Sequence, residues 1–396
     1  MSIMGTRPEI IKMSPLIPLL DEAFDHRILY TGQHYDYEMS EVFFREFGLR
    51  KPDHRIDILA EEVSEASPNK RLCFMFCGVK EGIRLERPDL CIVLGDTDSA
   101  LVGGLAASAL HVPLVHIEAG LRSLDMAMPE ERNRIVLDNL STLLFAPSTL
   151  ASKNLRCEGI DRNVHVVGNT IVDVCLRFRS EASKLKSYEW YGLAPKEYMV
   201  VTIHRESNTR GETLCKIFRA LMKLREIPMI IPIHPRTRQK LLEAGFWTAI
   251  TEKSHIKIVK PMGYLEFLSL MLNSRMVLTD SGGIQEEAVT LKVPCLTLRE
   301  NTERWETVQL RVNRLVGVKP EGILRGVRRS WGDEEWIKKV SNTGNPYGDG
   351  HASERIISKL RELSDFTKSL PPIGLSMSEK GRVTLSEVDG GLISNS

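Results

Sequence analysis

The 396 residues exceed what one hydrophobic core usually supports, about 250 to 300 residues, and so imply two domains with a cleft between them. Lysine and arginine total 53 against 52 aspartates and glutamates, a net charge of +1, which excludes the global field of a binder of nucleic acid or acidic membrane. An anionic ligand must therefore be held by local groups.

The N-terminal stretch MSIMGTRPE has neither the basic region nor the apolar core of a signal peptide, so export is not expected. Short apolar, β-branched runs then alternate with helical patterns along the whole chain, the signature of parallel sheets covered on both faces. Strands are predicted at Ser2 to Met4, Arg27 to Tyr30, Leu90 to Leu94, Leu114 to Ile117, Leu143 to Ala146 and Val164 to Val167. A second set follows at Tyr198 to Ile203, Met229 to Ile233, Ile256 to Val259, Met276 to Thr279 and Cys295 to Leu298. This pattern predicts an α/β chain of two doubly wound, Rossmann-like domains, residues 1–170 and 171–350, joined near VVGNTIVDV. A helix at His351 to Leu363 is long enough to cross back to the first domain, and residues 364–396, rich in Ser, Gly and Pro, read as a flexible tail.

Ser99 to Ile117 lacks acidic and basic residues over the length of a membrane span, but Gly103, Gly104, His111 and Pro113 break it. It reads instead as a buried helix entering a buried strand. The seven cysteines are scattered and odd in number, the pattern of reduced, buried thiols in a cytoplasmic protein. Cys73 and Cys77 have helical spacing but no second Cys or His pair beside them, so no zinc site is expected.

In an open parallel sheet, ligands bind beyond the carboxyl ends of the strands, where loops and helix N-termini converge. Five predicted strands end in polar residues: Arg7 in IMGTRPE, Asp96 in IVLGDTD, Glu118 in LVHIEAG, His204 in VVTIHRE, and Asp280 with Ser281 in MVLTDSGG. Each alone also reads as a cap or turn residue. Asp96 and Asp98 admit three readings: a metal-binding pair, an acid or base, or the polar cap of a buried strand. In TDSGGIQEEA, Ser281, Gly282 and Gly283 predict a tight turn into a helix whose free N–H groups and positive dipole end suit a phosphate. Glu286 and Glu287, one turn in, place a carboxylate where ribose hydroxyls beside that phosphate donate, so a nucleoside diphosphate is the expected guest. Facing it, Arg7 and Lys12 in GTRPEIIK, with Pro8 at the helix start, are candidate anion-binding cations, as are Arg299 and Arg304 in RENTERWE. Neither a G-x-G-x-x-G turn after the first strand nor a P-loop ending is present.

In order and spacing, GTRPEIIK, GDTDS, HIEAGLRS, MPEERNR, GNTIVD, TIHRESN, DSGGIQEEA and TERWE resemble the motifs of the non-hydrolysing UDP-N-acetylglucosamine 2-epimerases. The resemblance covers roughly residues 1 to 362. It implies the two-domain glycosyltransferase B fold, with catalytic Asp96, Glu118, Glu130 and His204. Arg7, Lys12, Ser281, Gly282, Gly283, Glu287 and Arg304 fall on positions that bind the nucleotide sugar. Gln33 and His34 in TGQHYDYEM, with Arg205 and His234, match an activating site for a second substrate molecule; a satisfied loop histidine or a solvated basic face is the competing reading. The stretch Glu65 to Phe76 departs from the Gly- and Thr-rich segment usual in the family.

The implied reaction epimerises C2 of UDP-N-acetylglucosamine to UDP-N-acetylmannosamine by elimination and re-addition of UDP through 2-acetamidoglucal. It requires neither redox cofactor nor metal. The resemblance further implies UDP-N-acetylglucosamine and UDP as ligands, no nucleic acid or membrane partner, a cytoplasmic homodimer, and a role in supplying cell-surface polysaccharide synthesis. The competing functions are a hydrolysing 2-epimerase releasing N-acetylmannosamine, a retaining glycosyltransferase, and a catalytically silent sugar-nucleotide sensor.

Overall fold

The computed structural model describes residues 1–32, 43–56 and 68–369. Among the described residues, runs of Ile, Val, Leu and Met form thirteen short strands that divide into two sheets. The first holds β1 (Ser2–Met4), β2 (Ile28–Tyr30), β3 (His54–Arg55), β4 (Cys91–Leu94), β5 (Leu114–Ile117), β6 (Leu143–Ala146) and β7 (Val164–Val166), in the order β3-β2-β1-β4-β5-β6-β7. The second holds β8 (Met199–Thr202), β9 (Met229–Pro232), β10 (Ile256–Val259), β11 (Met276–Thr279), β12 (Cys295–Thr297) and β13 (Asn313–Leu315), in the order β10-β9-β8-β11-β12-β13. Every pairing is parallel. Both sheets are thus doubly wound about a switch point, β1/β4 in one and β8/β11 in the other, and their carboxyl ends face a common cleft in the glycosyltransferase B manner.

The central strands are buried on both faces, which explains their near-continuous apolar composition. Phe47 from the first domain packs on Phe178 and Tyr264, with centroids 5.3 and 5.4 Å apart, and so welds one core across the cleft floor. Beside it the Glu46 carboxylate accepts from Leu265 N at 2.9 Å, satisfying a free N–H at the start of the Tyr264–Asn273 helix. The final helix, Ala352–Ser369, packs on Ile17–Ala23 of the first domain, and Asp173 caps its first turn by accepting from Ala352 N and Ser353 N.

The structure corrects several expectations. The edge strands β3 and β13 escape a reading of the sequence because His54–Arg55 and Asn313–Leu315 are short and polar and are ordered only by a neighbouring strand. The final helix runs to Ser369, past the Ser364 at which apolar periodicity stops, so residues 364–369 are helical; the rest of the expected tail lies outside the described residues. Cys73, Cys77 and Cys157 are exposed, not buried: all three lie on helices that cover a sheet, and their outward faces meet solvent.

Candidate active site at the cleft

Three loops of the first domain build one wall. After β1, Thr6 caps the helix Arg7–Met13, and Glu9 completes a capping box by accepting from Thr6 N at 2.7 Å. Glu9 also accepts from Gly5 N and from Thr97 Oγ1, tying this loop to the one after β4. Burial raises its carboxyl to about 7, although these three donors oppose the rise. Thr97 in turn caps the helix Asp98–Ala109, leaving Asp96 at the end of β4 and Asp98 at the first helical position. Asp96 pairs with the buried Arg134 at 2.5 Å, whereas Asp98 accepts from Asn133. Glu118 ends β5 with φ at +68°, a left-handed conformation that a side-chain-bearing residue adopts only under constraint.

The second domain supplies the facing wall. His204 follows β8, half exposed to the cleft, and its Nδ1 lies 3.3 Å from Asp280 at the end of β11. Asp280 is fully buried and accepts from His204 N, Arg205 N and Asn208 Nδ2, so it braces the loop that carries the histidine. Ser281 caps the helix Gly282–Leu291, whose first N–H groups lack helical partners, the arrangement that suits an anion. Gly282 has no room for a side chain: a Cβ there would lie 2.7 Å from Glu303 Oε1 and 3.4 Å from Arg304 Cζ.

Between the walls lies a buried lattice of charges. Lys12 Nζ sits 2.5 Å from Glu118 Oε1 and 3.6 Å from Glu286 Oε2, while Arg304 Nε sits 2.6 Å from Glu286 Oε1. Asn169, at the cap of the helix Thr170–Leu185, donates to both Glu118 and Glu286 at 2.9 Å. Burial pushes the Glu118 carboxyl up, but Lys12, Arg304 and Arg134 outweigh it and hold it down at about 2. Asp96 goes the other way: burial, reinforced by Glu303, Glu130 and Glu118, raises its carboxyl against the pull of Arg134. Two carboxylates on adjacent strands thus differ in proton affinity, as an acid–base pair requires. A second bridge spans the cleft mouth, where Arg205 meets Glu130 at 3.0 Å.

The expected site residues therefore gather, with exceptions. Lys12, Glu118 and Arg304 are in contact, Asp96 and Glu130 flank them, and His204 and Ser281 to Gly283 face them. Glu286 belongs to the charge lattice and is not free for a ribose, whereas Glu287 lies apart from it, beside Tyr264, with its carboxyl raised to about 7 by burial. Arg7 lies over the Phe43 ring, 5.4 Å from its centroid, and Arg299 is held by Glu303 at 2.6 Å. Arg205, expected at a regulatory position, bridges the cleft to Glu130; His234 sits half-buried after β9; Gln33 and His34 lie outside the described residues. Arg134, Asn169 and Glu303 were not singled out from the sequence. The signal that could have found them is their place inside the quoted motifs: Arg134 in MPEERNR, Asn169 in GNTIVD and Glu303 in TERWE.

The profile described as UDP-N-acetylglucosamine 2-epimerase matches residues 20–361. A UDP-N-acetylglucosamine 2-epimerase of Methanocaldococcus jannaschii is 41% identical over 364 residues, covering 90% of this chain and 96% of the relative. A UDP-2,3-diacetamido-2,3-dideoxy-D-glucuronate 2-epimerase of Pseudomonas aeruginosa is 38% identical, over 92% of this chain and 99% of the relative. Among solved structures, the M. jannaschii enzyme in complex with UDP-GlcNAc and UDP superposes with a TM-score of 0.83 at 40% identity, covering 91% of this chain and 99% of that one. The Neisseria meningitidis UDP-GlcNAc 2-epimerase bound to UDP-GlcNAc gives 0.82 at 30% identity, with the same coverage of 91% and 99%.

Proposed function

Since the chain belongs to the UDP-N-acetylglucosamine 2-epimerase family, we propose that it reversibly inverts C2 of UDP-N-acetylglucosamine to give UDP-N-acetylmannosamine. The observation that carries this reading is the emergence of Asp96 and Glu118 from neighbouring strands with opposed proton affinities, beside Lys12 and Arg304 and across from His204. The C2 proton is not adjacent to a carbonyl and is too weakly acidic for direct removal by a carboxylate. Departure of UDP from C1 comes first, building oxocarbenium character that acidifies C2–H. Loss of that proton leaves 2-acetamidoglucal and UDP in the cleft; a proton delivered to the opposite face and return of UDP complete the inversion.

Each step has a group suited to it. Lys12, Arg304, His204 and the terminus at Ser281 to Gly283 stabilise the departing pyrophosphate, Glu287 accepts from the ribose, and Asp96, Glu118 and Glu130 carry the proton traffic. Pyrophosphate drawing Lys12 and Arg304 toward itself weakens their hold on Glu118 and raises its basicity. Substrate binding thereby switches on the base. Closure of the two walls keeps water from the glucal.

NMR of the reaction mixture tests the assignment. UDP-N-acetylmannosamine is the expected product from UDP-N-acetylglucosamine, carrying deuterium at C2 when the reaction runs in D2O. Free N-acetylmannosamine would assign the hydrolysing reaction, and full retention of the original hydrogen would exclude elimination. Because the P. aeruginosa relative is nearly as similar, its diacetamido-glucuronate substrate is run in parallel; preferential turnover would move the assignment to that sugar.

We infer a homodimer for the same family reason. Phe74, Leu85, Leu105 and Val136 are exposed on three adjacent helices, Pro68–Glu86, Asp98–Ala109 and Pro129–Leu140, that cover one face of the first sheet. An unpaired apolar face of this kind suits a second copy. Among the described residues no helix is long and apolar enough to cross a membrane. The seven unpaired cysteines fit the reducing cytoplasm in which we place the reaction.

A further inference from the structure

The most completely bonded cluster outside the charge lattice lies directly behind it, and the mechanism above does not use it. His116, in the middle of β5, is fully buried; its Nδ1 lies 2.7 Å from Asp138 Oδ1 and its Nε2 lies 2.8 Å from the carbonyl oxygen of Gly95. Gly95 immediately precedes Asp96. The other oxygen of Asp138 accepts from Gly120 N at 3.1 Å and from Arg122 Nη2 at 2.6 Å, and Gly120 is two residues past Glu118. Asp138 and His116 together therefore grip both loops that carry the central carboxylates.

These loops need a grip. Gly95, Glu118 and Gly120 all have positive φ, at +75°, +68° and +79°. The Gly95 N–H already donates to Ile117 O, so its carbonyl is the group left to anchor, and His116 on β5 reaches it. Because a carbonyl oxygen only accepts, Nε2 must carry a proton. The Arg122 guanidinium and the Gly120 N–H both donate to Asp138, which favours its carboxylate form and fixes the oxygen that faces Nδ1. Each ring nitrogen thus has a buried partner, and the ring is not free to rotate away.

We propose that His116, oriented by Asp138, is a positioning residue that sets the spacing between Asp96 and Glu118 and thereby determines whether the glucal is reprotonated before it escapes. The proposal rests on the epimerase reading, since it concerns the placement of that reading's acid and base. Atoms balance without it: His116 exchanges no proton with substrate and acts only through the backbone at Gly95 and Gly120.

The test compares two isosteric substitutions in the full-length chain. His116→Gln keeps an amide N–H near Nε2, hence the tether to Gly95; His116→Asn keeps one near Nδ1 and releases Gly95. Both are assayed for turnover, KM, calorimetric UDP affinity, and the fraction of turnovers that release 2-acetamidoglucal and UDP into solution. The expected order of kcat is wild type, then His116→Gln, then His116→Asn, the last down by about 10- to 100-fold. UDP affinity, set mainly by the second domain, stays within about twofold, and glucal release is greatest in His116→Asn. Equal losses in the two variants, or a parallel fall of kcat and UDP affinity, would mean a general packing role and overturn the proposal. Retention of wild-type kcat in both overturns it as well. If His116→Asn does not fold, Asp138→Asn, which keeps acceptors for Gly120 and Arg122 but weakens the hold on His116, must show the raised glucal release, and its absence counts against the proposal. A wild-type enzyme that makes no epimer at all is the distinct failure of the epimerase reading.

Discussion

Glu287 joins deep burial to a task that needs its charge, and the two pull against each other as pH changes. Its carboxyl is raised from the ordinary 4.5 to about 7, so the neutral form stabilises the unliganded fold below about 4.5 and that contribution is lost as pH rises through about 7. The interval corresponds to roughly 3 kcal/mol at most. Glu287→Gln, which stays neutral, is therefore expected to melt higher than wild type at pH 8 and at nearly the same temperature at pH 4.5, as calorimetry at both values will show. UDP affinity runs the other way, because the ribose hydroxyls donate best to the carboxylate. It should rise with pH through about 7 with release of one proton, and Glu287→Gln should weaken UDP by about 1.5 to 3 kcal/mol at pH 8. Asp96→Asn, on the facing wall, removes a proton carrier while leaving UDP contacts alone. Turnover should fall by at least about 10²-fold with UDP affinity nearly unchanged, and full activity would remove Asp96 from the chemistry. The roles of these single residues were legible because a polar residue at the end of an apolar run is a local signal. Their proton affinities were not, since they are set by burial and by partners that only folding brings together, such as Arg134 for Asp96 and Lys12, 106 residues away, for Glu118.

The helix Gly282–Leu291 and the loop Asp96 to Asp98 are the elements whose start geometry decides what binds. At Gly282 a methyl group would collide with Oε1 of Glu303, whose other carboxylate oxygen Arg299 holds, and would crowd Arg304. Gly282→Ala should leave the fold intact and lower UDP affinity by about 10-fold or more, measured by titration calorimetry, as the displaced cation and tilted helix terminus lose the phosphate. In the second element, the aspartate pair offers a cation little: Asp96 is taken by Arg134 and Asp98 leans on Asn133. Lys12, Arg304 and Arg205 already supply positive charge around the cleft. Activity is accordingly expected to survive exhaustive chelation, and loss on EDTA with recovery on Mg²⁺ or Mn²⁺ would reopen the metal reading. The glycines and the capping serine were visible in DSGG; the collision that makes Gly282 necessary was not, because Glu303 reaches it only through the folded β12 loop.

The whole molecule brings its function together at a seam. Each sheet alone presents one wall with charges poorly matched: carboxylates and Lys12 from the first, Glu286, Arg304 and His204 from the second. The Phe47–Phe178–Tyr264 contact and the Asp173 cap on the final helix hold the walls together. On the outer face, the proposed dimer predicts that Leu105→Asp shifts sedimentation from dimer to monomer; an unchanged dimer would place the contact elsewhere.

By itself the sequence determined the α/β class, the two-sheet plan, the central strands and most of the strand-end polar residues, because hydrophobic periodicity and turn chemistry are short-range properties carried within about ten residues. It also carried the family, through motifs such as HIEAGLRS and DSGGIQEEA in fixed order. Only the tertiary structure decided that Glu286 serves the charge lattice while Glu287 stays apart, that Arg134 and Glu303 belong to the site, and that β3 and β13 exist at all. Those outcomes depend on which distant carboxylate meets which cation out of water. Pairing energies of that kind arise only once the chain has closed and excluded the solvent that would otherwise screen them.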